Sequence, residues 1–185
     1  MAQQRGTTRL AGVERAVETG MMAGMAAAVP MAIFAMIASA SWQHAGFYTP
    51  WYRIAAVLDP LPLQASLEEA ATDRPSFYFY PQPMFAGLAV HLAIGGCFGI
   101  LFVLLVHALR VRGRAALAVG AVYGLAVAAL MGLVVLPVAA DLLAAGPQIG
   151  EAASIVGWPT FAAWHLVYGL GLGTWTMLRR SAPPL

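Results

Sequence analysis

A chain of 185 residues, 61% hydrophobic and only 10% charged, cannot close into a water-soluble globule, whose charged share is about a quarter. Its net charge of +2 rests on ten basic residues, all arginines in short clusters, which excludes the broad basic patch that a nucleic-acid partner requires. A mean hydropathy of +0.75 points instead to apolar surface turned toward a lipid bilayer.

Read from the N-terminus, Arg5, Arg9 and Arg15 precede an apolar run over residues 19–42. That run is longer than the apolar core of a cleavable signal peptide, so it is expected to act as an uncleaved anchor. Three further runs follow at 84–109, 115–140 and 158–178. Each is long enough to cross a hydrocarbon core of about 30 Å as a helix, which takes about 20 residues. Barrel strands would alternate polar and apolar positions, and these runs are apolar on every side. The expected fold class is therefore all-α: a polytopic membrane protein of four transmembrane helices in a single domain over 1–185, with an outer loop at 43–83.

The arginines set the expected orientation. Arg110, Arg112 and Arg114 fill the short link between the second and third runs, and Arg179 with Arg180 closes the fourth. Only Arg53 and Arg74 fall in the first loop, so eight of the ten lie on one side. The excess of positive charge on that side predicts N-in, C-in in a bacterial cytoplasmic membrane.

The first loop carries its own helix signals. Thr49-Pro50 reads as an N-cap with Pro at the first helical position, opening a short helix through Leu58. Ser66-Leu67-Glu68-Glu69 fits a capping box for a second, which Asp73-Arg74-Pro75 would end. Aromatics crowd this loop: Trp42, Phe47, Tyr48, Trp51, Tyr52 and the run Phe77-Tyr78-Phe79-Tyr80. Such residues favour the headgroup region, so Trp42, Tyr48, Trp51, Tyr52, Tyr78 and Tyr80 are expected at the membrane interface, or else on a docking surface for a partner or an amphipathic ligand such as a quinone. The third loop, 137–157, shows no site.

Two patterns repeat. Residues 20–31 set against 120–131 align Gly20 and Gly24 with Gly120 and Gly124. His91-Leu92, Gly95 and Gly99 match His165-Leu166, Gly169 and Gly173 in spacing. A duplicated two-helix hairpin would produce both, with copies related by an axis along the membrane normal. Glycines four apart let helix backbones approach closely, so these eight are expected to pack helices. Four helices cannot turn every such face inward, so at least one is expected to meet another subunit.

Intramembrane ionisable groups are candidates for function. His91 and His165 each lie seven residues into a run, about 10 Å deep at about 1.5 Å per residue, and the two runs share a direction. Three roles compete: a packing bond to a neighbouring helix, axial ligation of a b-type haem with the glycines leaving room for the macrocycle, and a quinone or proton site. Cys97 reads as a small buried hydrophobe. Metal, nucleotide and hydrolase motifs are missing from the sequence, and no carboxylate lies within a run, which demotes both catalysis and ion-coupled transport.

Phe47-Tyr48-Thr49-Pro50 leading to Ile54-Ala55-Ala56, with Val122-Tyr123-Gly124, Leu136-Pro137 and His165-Leu166-Val167-Tyr168-Gly169-Leu170, resembles a group of small four-helix bacterial inner-membrane proteins of unassigned function. Where that group places Trp before Thr-Pro, this chain has Tyr48. The resemblance implies a bacterial inner-membrane protein and carries over no catalytic residue. The sequence expectation is a non-catalytic accessory subunit of a larger respiratory or electron-transfer complex, with lipid and other membrane subunits as partners and no cofactor. The alternatives are a haem- or quinone-binding electron-transfer protein and a small transporter.

Overall fold

The computed structural model describes residues 2–181, with side chains described from 14 to 179; Arg5, Arg9 and Arg180, used above for orientation, lie outside those side chains. Helix dominates and no strand occurs among the described residues. A long α1 (Ala2–Ser41) leads through α2 (Thr49–Ala55) and α3 (Leu61–Thr72) to α4 (Pro81–Ala108). Next comes α5 (Ala115–Leu130), continued by a π-helical turn (Met131–Val135) into α6 (Leu136–Leu142). Short α7 (Pro147–Gly150) and α8 (Ala152–Val156) precede α9 (Trp158–Ser181).

Among the described residues, three helices are long and apolar enough to cross a membrane: Glu14–Ser41, Pro81–Ala108 and Ala115–Leu142. Four were expected. The remaining long helix, α9, has 24 residues and is diluted by Thr160, His165, Tyr168, Thr174 and Thr176. The α5–α6 rod also departs from a uniform helix. Leu136 N–H reaches back to the Met131 carbonyl, and Pro137 has no N–H to supply for the next bond, so the break sits where the ladder loses a donor.

The long helices are arranged so that α1 lies between α4 and α9, and α9 lies between α1 and α5. The α4–α5 seam is sparse beside the α1–α4, α1–α9 and α5–α9 seams. It is bridged low down by Tyr123 Oη, which donates to the Phe98 carbonyl at 2.7 Å, and by the Phe102 and Tyr123 rings at 5.1 Å.

Glycine explains the tightest contacts. A Cβ added at Gly24 would overlap the Gly95 carbonyl, and one at Gly99 would overlap the Gly20 carbonyl, so α1 and α4 touch backbone to backbone. Likewise a Cβ at Gly120 would strike Gly169, one at Gly124 the His165 carbonyl, and one at Gly173 would come within 2.6 Å of the Ala116 carbonyl. All eight glycines thus meet backbone of this same chain. The expected surplus face, kept for another subunit, is not among them. Cys97 also differs from expectation, because it is exposed on the outer side of α4 rather than buried.

The chain between α1 and α4 folds back over the bundle. Thr49 begins α2, but Tyr48 occupies the cap position and the Thr49 hydroxyl turns instead to Ser66 Oγ at 2.8 Å. Ser66 is accordingly buried inside α3 and caps nothing. That helix starts five residues earlier, at Leu61, whose N–H donates to Asp59 Oδ1 at 3.0 Å. Asp59-Pro60 was the overlooked start signal. The Ser39 hydroxyl, donating to the Gly46 carbonyl at 2.7 Å, ties this segment to α1. Where a Cβ at Gly87 would overlap the Trp51 carbonyl, α2 presses on α4 without a side chain between them.

Candidate ligand chamber

Below α2 the long helices part and leave a chamber of about 420 Å³. Its walls come from α1, α2, α4, the α5–α6 rod, α7, α8 and α9, and are almost wholly apolar. The third loop, in which no site was expected, contributes Ile149, Ala152 and Val156. Alternating small apolar residues hid this role, since no chemical group marks it. Tyr168 lies toward the floor, where its hydroxyl donates to the Gly95 carbonyl at 2.6 Å.

His91 and His165 both line this chamber, although they sit on helices that scarcely touch. His91 Nε2–H donates to the Ala28 carbonyl at 3.2 Å, and its ring lies edge-on to Trp51 with centroids 5.4 Å apart. His165, 6% exposed, donates from Nδ1 to the Phe161 carbonyl at 2.8 Å. A carbonyl oxygen only accepts, so in each neutral ring the bonded nitrogen carries the hydrogen and the other is left as an acceptor. The free acceptors are Nδ1 of His91 and Nε2 of His165. Of the glycines at i+4 and i+8, Gly99, Gly169 and Gly173 are filled by opposing backbone, whereas Gly95 meets Ala28 Cβ and also lines the chamber. No group of three or more His, Cys, Asp or Glu among the described residues is placed to hold a metal ion.

Two side chains of the wall each hold one covered polar atom without a partner. Arg53 Nη1 and Trp164 Nε1 are buried without a hydrogen bond. Burial pushes the Arg53 guanidinium down from its ordinary value. No Asp or Glu lines the chamber to offset it.

The aromatics divide into two groups. Trp51 and Tyr52, expected at the lipid interface, are 3% and 0% exposed and belong to the interior. Tyr52 Oη accepts from Tyr80 N–H at 2.8 Å and donates to the Tyr78 carbonyl at 3.0 Å, pinning the extended stretch before α4. Burial pushes its phenol up, the bond from Tyr80 acting in the opposite sense. Tyr48 and Tyr78 are half-buried, while Trp42 and Tyr80 are exposed together with Phe77 and Phe79. Trp42 Nε1 donates to Thr160 Oγ1 at 3.3 Å.

No family model matches the chain, and no curated protein or solved structure matches it either. The functional reading therefore rests on the chamber.

Proposed function

We propose that the chain is a four-span bacterial inner-membrane protein, N-in and C-in, that holds a lipophilic amphipathic molecule in this chamber and catalyses no reaction of its own. The observation that carries the reading is an apolar cavity of about 420 Å³ with His91 and His165 on one wall system. That volume lies within the range of about 300–1,000 Å³ for small-molecule sites, which are apolar with a few placed polar groups. The test is extraction of the protein purified in mild detergent, followed by mass spectrometry of the organic phase. A lipophilic molecule retained near one per chain, and lost from Ala32→Phe, is expected; equal recovery from both proteins would overturn the reading.

Four spans and the duplicated hairpin are supported by the repeat of glycine contacts. Gly20 with Gly99 and Gly24 with Gly95, on α1 and α4, have counterparts in Gly120 with Gly173 and Gly124 with Gly169, on α5 and α9. In this reading α9 crosses beside α5 despite its polar residues, because His165 and Tyr168 spend their hydrogen bonds inside the bundle. Reporter fusions after Arg114 and at the C-terminus should read cytoplasmic, and a fusion at Ala71 the opposite side. A periplasmic C-terminus would refute the topology.

A quinone head is one occupant the free imidazole acceptors would serve. Haem b is the weaker assignment, because backbone closes the notches at Gly99, Gly169 and Gly173 that would admit a macrocycle. A role as accessory subunit of an electron-transfer assembly is favoured by a separate observation, the exposed aromatics Trp42, Phe77, Phe79 and Tyr80 at one end.

A further inference from the structure

The identity of the occupant, resting on the reading of the chamber as a ligand site, turns on Arg53. A guanidinium stays charged in proteins, and a charge drawn partly out of water gains from an oppositely charged partner. Arg53 is half-buried, with its Nη1 covered, and it has no hydrogen bond or ion pair among the described residues. No acidic side chain of the chain reaches the chamber wall. The cation therefore lacks, within the protein, the oxyanion that its planar fork is built to bind.

We infer that the chamber takes a single-chain anionic amphiphile, a long-chain carboxylate, with its head on Arg53 and its chain along the apolar walls. Placement supports both halves. Arg53 lies on α2, at the loop end of the bundle, where the chain's aromatics mark the headgroup level. From there the walls run down past Ile94 to Tyr168 with scarcely a polar group beyond the histidines and Trp164. The wall residues Val90, Ile94 and Val135, on either side of the sparsely packed α4–α5 seam, are exposed, as are Leu58 and Leu143 at the loop end, so the chamber is not sealed. A carboxylate from the outer leaflet would enter sideways, its head staying at interface depth. The volume of about 420 Å³ is in the lower part of the range for small-molecule sites of about 300–1,000 Å³, which leaves room for one apolar chain.

The test measures binding of radiolabelled palmitate and of uncharged hexadecanol to the full chain in detergent, with phosphatidylglycerol as competitor. Palmitate should bind at one per chain and hexadecanol at least about tenfold more weakly, since a charge-assisted hydrogen bond is lost. Arg53→Gln should weaken palmitate by about tenfold to a hundredfold and leave hexadecanol unchanged, with Arg53→Lys recovering part of the loss. Ala32→Phe should abolish binding of both. Equal binding of palmitate and hexadecanol, both insensitive to Arg53→Gln but lost in Ala32→Phe, would sink the anionic occupant and leave the chamber reading standing. If neither molecule binds, and native protein carries no extractable ligand, both ideas fall. Palmitate lost in Arg53→Gln but kept in Ala32→Phe would place the anion at the surface and refute the inference, as would phosphatidylglycerol competing as well as unlabelled palmitate.

Discussion

The two halves of this bundle are held by opposite means. Toward the ends of the long helices that carry Gly20, Gly99, Gly120 and Gly173, paired helices meet backbone to backbone. Toward the loops, the same helices part around a chamber and are braced by α2, α7 and α8. In the first half, cohesion comes from dispersion across close-packed small residues, the force available where lipid removes any hydrophobic drive between helices. In the second it comes from hydrogen bonds among loop residues and from large buried rings, notably Tyr52 and Trp51. Filling space should therefore damage one half and be absorbed by the other.

The largest effect is expected from Gly24→Leu. Even a Cβ there overlaps the Gly95 carbonyl, so α1 and α4 must move apart. The loss should reach or exceed the upper end of the about 1–3 kcal/mol typical of overpacking, read as a fall in the unfolding midpoint in detergent. A native-like midpoint would show that the α1–α4 seam does not depend on glycine. Tyr52→Phe comes next. It strips the bond accepted from Tyr80 and the bond donated to Tyr78, at about 1–3 kcal/mol for groups left buried and unpaired, and amide exchange should rise at Tyr80 before it rises in α4. The smallest effect on stability belongs to Ala32→Phe. Ala32 lies on the chamber wall and outside the packed clusters around Phe102, Trp164 and Tyr52, so the larger ring has somewhere to go. A shift within about 1.5 kcal/mol is expected, as for tolerated core exchanges. A loss as large as that of Gly24→Leu would mean the upper half is as tightly filled as the lower, and the contrast between them would disappear.

Much of the fold was legible along the chain. Apolar runs without charge announced long helices, and three of them meet the length and composition needed to cross a membrane. The spacing of Gly20 with Gly24 and of Gly95 with Gly99 placed each pair on one helix stripe, because residues four apart share a face. The loop helices were found but not their boundaries: Ser66 matched a capping box in sequence, yet its hydroxyl was taken by Thr49, seventeen residues away. A local motif could not reveal that competitor. Similarly, Trp51 and Tyr52 look like interfacial aromatics to any composition rule, and only the return of α2, with Trp51 against Gly87 and Tyr52 against Ala140 and Ile149, buries them.

By itself, then, the sequence determined an all-helical chain with helices apolar enough for a bilayer, and it singled out His91 and His165 as chemically unusual positions within them. Those are properties of one helix at a time, set by hydropathy and by a rotation of about 100° per residue. The tertiary structure decided that the glycine stripes face each other, that the two histidines share one chamber, and that Arg53 lies on its wall with no acidic side chain beside it there. A cavity is the space that several helices fail to fill together, and its shape follows from their crossing and spacing, which no single segment of the chain encodes.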